Sequence, residues 1–163
     1  MKTIVSHSPA ETHSAAKHVA KQLRPGDVVA LVGDLGTGKT VFARGLAHAL
    51  GVTGPISSPT YTIQHTYTGS HGLVHHIDLY RLMTPDDVDM LDLNTCWESN
   101  AITIIEWAER AGNLLPAKTW RITLSPGSKP DQRCIAIQPP SQHEREIRQT
   151  THLITHRHST LDT

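Results

Sequence analysis

The chain has 163 residues, room for one domain with a real core and at most a short appendage. Apolar residues make up 37% of it, without the depletion that marks disorder, and 15 basic residues balance 15 acidic ones, which excludes a strong basic field drawing the whole protein to nucleic acid or anionic lipid. No apolar run approaches the ~20 residues that span a bilayer, and Met1-Lys2-Thr3-Ile4-Val5 does not begin the apolar stretch of a signal peptide, so a cytoplasmic protein without a membrane anchor is expected. Cys96 and Cys134 stand far apart with no CxxC pairing, which suits a reducing compartment and argues against a disulfide framework or a thiolate zinc site. The twelve histidines cluster only at His75-His76 and at His156 and His158, without further ligands beside them, and read as structural or solvated.

In chain order, Lys2–Ser6 suits a short strand, and Ser8-Pro9-Ala10-Glu11 is a capping box with proline at the first helical position, opening a helix to about Leu23. After the turn at Arg24-Pro25-Gly26-Asp27, Val28-Val29-Ala30-Leu31-Val32 is a continuous apolar run of the kind buried on both faces of a parallel sheet. It feeds into Gly33-Asp34-Leu35-Gly36-Thr37-Gly38-Lys39-Thr40, and a helix follows until Gly51 stops it. Tyr61–Tyr67 and Leu73–Leu79 predict a hairpin turning at Gly69-Ser70-His71-Gly72. Thr84-Pro85-Asp86-Asp87 starts another helix to about Leu91. Ala101–Ile105 is a second buried strand, ending in Glu106, and Ala108–Leu115 is expected to be helical. Two further strands fit Trp120–Leu124 and Arg133–Ile137. Residues 1–140 thus read as one α/β domain, a three-layer P-loop NTPase-type fold with a mostly parallel central sheet and an antiparallel hairpin. Residues 141–163, rich in His, Thr, Arg and Gln, read as a polar tail, a marginal helix or disordered.

The segment from Gly33 to Thr40 carries the chemistry. A bound triphosphate needs converging N–H donors, a cation beside the β- and γ-phosphates and a hydroxyl on Mg²⁺; the glycines, Lys39 and Thr40 supply them in that order, between a strand and a helix. ATP and Mg²⁺ are the expected cofactors. A P-loop enzyme also needs an acid at the end of a neighbouring strand, and Glu106 and Asp78 both qualify. Trp107, next to Glu106, is either a core anchor or a wall against the nucleotide. Ser57-Ser58-Pro59-Thr60 lies where many P-loop proteins carry a switch that senses the γ-phosphate through a hydroxyl. Arg44 and Arg133 read as solvated charges outside the site.

Four ordered segments together resemble a known family: the glycine loop itself, Ser58-Pro59-Thr60-Tyr61-Thr62, His76-Ile77-Asp78-Leu79-Tyr80-Arg81-Leu82 and Ile104-Ile105-Glu106-Trp107-Ala108-Glu109-Arg110. The chain is similar over about residues 2–125 to the TsaE family, bacterial ATPases for the threonylcarbamoyladenosine modification of tRNA. The resemblance implies a compact ATPase, weakly active alone, that works with the TsaB–TsaD pair and meets tRNA through that complex. It also implies that Lys39 and Thr40 bind phosphate and Mg²⁺, that Glu106 is the strand-end acid at the metal, that Asp78 is a catalytic or metal-site acid, and that Thr60 belongs to the switch. Ala108 stands where the family usually has proline, and the tail from Ser141 matches poorly.

Two other classes share the loop. A small-molecule kinase of this size usually needs an arginine-bearing lid, yet Arg81 is the one basic residue between Asp78 and Glu106. A regulatory GTPase would want an Asn-Lys-x-Asp segment to read guanine, which the sequence lacks.

Overall fold

Five apolar residues in a row can be buried on both sides, and Val28–Val32 is the middle strand, β2, of a seven-stranded sheet. The computed structural model describes residues 1–98 and 100–141. Its other strands are β1 (Lys2–Ser6), β3 (Gln64–Gly69), β4 (Gly72–Asp78), β5 (Ile102–Glu106), β6 (Thr119–Pro126) and β7 (Arg133–Gln138), in the spatial order β1-β7-β6-β2-β5-β4-β3. The helices are α1 (Pro9–Ala20), α2 (Lys39–Ala49), α3 (Pro85–Asp89) and α4 (Asn94–Glu98), followed by a 3-10 segment over Ala108–Leu114 that bends at Gly112.

The sheet is mixed rather than mostly parallel. Strands β6, β2, β5 and β4 run parallel, while β3 pairs antiparallel with β4 at one edge, and β7 pairs antiparallel with both β6 and β1 at the other. The physical reason is connection length: β6 and β7 are joined by a short turn, which can only reverse the chain, and a parallel return needs a long crossover. Successive side chains on the central strands point to opposite faces. Val29, Leu31, Ile104, Ile122 and Leu124 pack against Val19 of α1 and Phe42 and Leu46 of α2. Val28, Ala30, Ile77 and Ile105 face the other way, against Val88 of α3, Cys96 of α4 and Ala111. Three layers result, as expected. Fully burying a side chain such as Phe42 or Ile104 contributes about 1.5–3 kcal/mol, so these two clusters hold the strand ends in place.

Local details follow from the caps. Ser8 Oγ accepts from Glu11 N, as a capping box requires, but the Glu11 carboxylate bonds back to His7 N rather than to the cap itself. The helix ends at Ala20, three residues early. Thr84 and Asp87 make the full reciprocal box at α3. Helices α1 and α2 pack closely at Gly45, where a Cβ would lie 2.8 Å from His13. Strand β3 begins at Gln64 rather than Tyr61, because Ile63 takes a left-handed φ of 67° so that its N–H reaches Pro59 O and its carbonyl receives Asp78 N. No helix among the described residues is long and apolar enough to cross a membrane. From residue 142 on, the expected polar tail lies outside the described residues.

Candidate functional site

The carboxyl ends of β2, β4 and β5 meet at one end of the sheet, the end at which open α/β sheets bind ligands. Beyond β2 the chain turns at Gly33, whose φ of 147° and whose approach to Leu124 leave no room for a side chain: a Cβ there would stand 2.2 Å from Leu124 O. Leu35 is the exposed tip of the loop, and Thr37 is buried with its hydroxyl donating to Asp34 O at 2.8 Å. Gly38, at φ 99°, caps α2 without any side-chain oxygen. Among the described residues, the backbone N–H groups of Gly36, Gly38, Lys39 and Thr40 meet no hydrogen-bond acceptor. Backbone donors left open at a helix start, with the positive end of the helix dipole behind them, fit a phosphate group.

Lys39 folds back over this loop. Its ammonium donates to Asp34 O at 2.8 Å and to Gly33 O, and it lies 3.7 Å from the centre of the Trp107 ring. Burial pushes the Lys39 ammonium below the usual lysine range, and the acids Glu109, Glu106, Asp78 and Asp34 pull it part of the way back.

Glu106 and Asp78 are partners in the β4–β5 register, so both carboxylates project from the same face, one strand apart, and both are buried. Each is held by a different set of donors. Glu106 Oε2 accepts from the Thr40 hydroxyl at 2.7 Å, and Glu106 Oε1 accepts from His76 Nε2 at 2.8 Å. Asp78 Oδ2 accepts from Thr60 Oγ1 at 2.7 Å and Ser58 Oγ at 3.0 Å, while Oδ1 accepts from Tyr80 N at 2.8 Å. The loop carrying Ser58 and Thr60 is thus tied to a strand-end acid.

Trp107, half-buried in a left-handed turn at φ 57°, packs on the core side, as a core anchor would, and also lies against Lys39 and Tyr80. Arg110 stacks over the rings of Trp107 and Tyr80 and donates to the carbonyls of Tyr80 and, at 2.6 Å, Leu82, which fixes the turn after Asp78. Arg133, read as a solvated charge, reaches Gly36 O at 3.3 Å, and Arg44 Nε holds Ile56 O at 2.9 Å. Sequence reasoning passed over His76 and Arg110. The signal available was that both sit inside the segments that carry the family likeness. A cavity of about 480 Å³ bounded by Met1, Thr119, Arg121 and Gln138 lies at the other end of the sheet and contains none of these groups.

A family model described as threonylcarbamoyl adenosine biosynthesis protein TsaE matches residues 6–135. The chain belongs to the TsaE family. The family's protein from Bacillus subtilis, named tRNA threonylcarbamoyladenosine biosynthesis protein TsaE, is 37% identical over 117 residues, covering 72% of this chain and 73% of the relative. Its namesake from Treponema pallidum is 38% identical over 120 residues, covering 74% and 88%. The crystal structure of Bacillus subtilis YdiB superposes with a TM-score of 0.73 at 28% identity, over 91% of this chain and 92% of that one. The TsaE model spans the glycine loop, Asp78 and Glu106, so every residue of the site described above falls within the family match.

Proposed function

We propose that this chain is the ATP-binding and ATP-hydrolysing subunit of the cytoplasmic assembly that makes threonylcarbamoyladenosine in tRNA, acting beside a TsaB–TsaD pair and not itself transferring the group to RNA. The observation that carries the reading is the set of open N–H groups at Gly36, Gly38, Lys39 and Thr40, arranged around a buried lysine and two strand-end carboxylates. Residues 1–140 form the ATPase domain. Gly33, Asp34, Leu35, Gly36, Thr37 and Gly38 wrap the phosphates with their backbone, and Lys39 leaves its carbonyl partners to pair with phosphate oxygens. Trp107 lines the nucleotide site beside it.

Thr40 and Glu106 would hold Mg²⁺. Among the described residues no three His, Cys, Asp or Glu side chains group to bind a metal, and Mg²⁺ suits such a place because it takes one or two protein ligands and completes its shell with water and substrate phosphate. When bound, the metal supplies positive charge against the charge that develops on the phosphoryl oxygens. Water attacks the γ-phosphorus and the bond to the bridging oxygen breaks, leaving ADP and phosphate. Asp78 orients that water, and Thr60, bonded to Asp78, carries the presence or loss of the γ-phosphate into the 57–60 loop. Turnover in isolation should be weak, as suits a protein whose hydrolysis resets a complex rather than feeding a metabolic product.

The test is co-purification of cell partners with the untagged chain, with and without ATP. Recovery of the TsaB–TsaD pair in a nucleotide-dependent manner is expected. A small-molecule kinase would bring down no such pair, and GTP competing as well as ATP for the site would count against an ATPase, since no Asn-Lys-x-Asp segment is present.

A further inference from the structure

We propose that His76 is the positioning residue for Glu106: its imidazole fixes one carboxylate oxygen so that the other stays aimed at Thr40 and at the metal that Thr40 and Glu106 share. The assignment rests on the ATP-hydrolysing role proposed above. Its starting point is a burial that packing alone does not favour. His76 is fully buried in β4, paired with Ile104 in the register, on the face where Val74, Phe42 and Leu46 build the apolar core. An aliphatic side chain suits that position. The imidazole instead brings in two polar nitrogens, and one of them, Nδ1, finds no hydrogen-bond partner among the described residues. An unpaired buried nitrogen weakens the fold.

The other nitrogen accounts for the residue. Nε2 lies 2.8 Å from Glu106 Oε1, and since a carboxylate accepts, the hydrogen of that bond sits on Nε2. Glu106 Oε2 meanwhile takes the Thr40 hydroxyl at 2.7 Å. The carboxylate is therefore pinned at both oxygens, by a strand residue on one side and the start of α2 on the other. Remove the imidazole and Oε1, on a residue only 1% exposed, is left without its partner. The carboxylate can then rotate about its last bond, and the plane that directs Oε2 at Thr40 is lost. A partner that orients a metal-holding carboxylate from behind is a recurring device, and its loss typically costs about 10–100-fold in metal affinity or activity.

Two variants of the full chain separate this from a packing role. His76→Leu keeps the volume apolar and removes the donor; His76→Gln retains an N–H at about the same reach. Labelled ATP is titrated with and without Mg²⁺, thermal unfolding is recorded for each variant, and single-turnover hydrolysis is measured with the partners present. His76→Leu is expected to stay folded and bind Mg²⁺-free ATP like wild type, but to lose about tenfold in the affinity gained on adding Mg²⁺ and about tenfold in hydrolysis. His76→Gln should recover both to within about threefold of wild type. A wild-type Mg²⁺ gain in folded His76→Leu overturns the proposal, and so does a His76→Gln that is folded yet as impaired as His76→Leu. Should His76→Leu fail to fold, His76→Met is read in its place against the same two outcomes. A wild-type chain that binds no ATP at all overturns the ATP reading as well, whereas Mg²⁺-dependent binding that is indifferent to residue 76 overturns this inference alone.

Discussion

Replacing Glu106 by glutamine removes a charge and one acceptor while keeping the shape, and the hydrogen bonds around it say what that should cost. Glu106 accepts twice, from Thr40 at 2.7 Å and from His76 at 2.8 Å. Glutamine has one oxygen. If it stays with His76, the amide NH₂ faces Thr40, whose hydroxyl must turn to accept and so commits a lone pair that a metal would use. A hydrogen bond to a charged group is worth about 1.5–3 kcal/mol, and the lost charge also weakens the hold on Mg²⁺, so a loss of roughly 3 kcal/mol of transition-state stabilisation is expected. That should slow hydrolysis on the order of a hundredfold, while ATP binding, assigned in the proposed site mainly to the glycine loop and Lys39, should survive better. ATP affinity, single-turnover hydrolysis and multi-round tRNA modification are to be measured side by side. The variant should linger in the ATP-bound complex and fail at repeated rounds. Unchanged hydrolysis would remove Glu106 from the chemistry and leave it to Asp78 alone, and normal repeated modification with hydrolysis blocked would refute the idea that hydrolysis resets the complex.

Lys39→Ala should abolish most nucleotide affinity, and a labelled-ATP titration at wild-type affinity would overturn the site. The same pair of proteins tests the buried ammonium: burial lowers its pKa below 10.5, so across the window from that lowered value up to 10.5 the unfolded chain binds more protons and stability rises with pH. Urea unfolding should therefore show wild type gaining on Lys39→Ala as pH is raised from neutral towards 10.5; a gap that shrinks instead would mean that the surrounding acids outweigh burial. Thr60→Val keeps the side-chain shape but takes a 2.7 Å hydrogen bond from Asp78, and it should slow single-turnover hydrolysis more than it weakens ATP binding; the reverse order would remove Thr60 from the switch. Ser8→Ala removes the acceptor for Glu11 N at the start of α1 and should destabilise the protein by about 1 kcal/mol in denaturant unfolding.

Much of this was legible in the sequence where a short segment determines its own structure. The run Val28–Val32 is a strand with the expected bounds because five apolar residues ahead of a glycine loop have few alternatives, and Lys39–Ala49 follows it as a helix within one residue of expectation. Asp78 and Glu106 were visible as acids ending apolar strands, and the register then made them neighbours. What stayed hidden depended on contacts across the chain. That β7 runs antiparallel to β6 and also receives β1 is a matter of which edges meet, about which the residues of Arg133–Gln138 say nothing alone. Helix α4 is five residues long and has no apolar period to find. His76 looked like any strand histidine until Glu106 came to rest beside it, and Arg133 like any surface cation until its guanidinium reached Gly36 O.

The two carboxylates also differ in what holds them, and under the proposed function that difference suits them to different work. Glu106 is braced by His76 on the neighbouring strand β4 and by Thr40 at the root of α2, elements whose backbones are locked into the two hydrophobic clusters. Moving it means disturbing the core. Asp78 is braced on one oxygen by Ser58 and Thr60, from a loop that itself is tied down by side-chain contacts such as Arg44 to Ile56 O and Tyr67 to Ser57 O. Freeing Ser58 and Thr60 costs a few exposed or half-buried hydrogen bonds, each worth about 0.5–1.5 kcal/mol, while the buried Ile56 and Pro59 beside them keep the ends of that motion short. If ATP occupies the proposed site, a γ-phosphate that competes for the Thr60 hydroxyl would shift the loop before the strand, which would suit the rigid acid to holding charge and the loop-clasped acid to reporting whether the phosphate is still there.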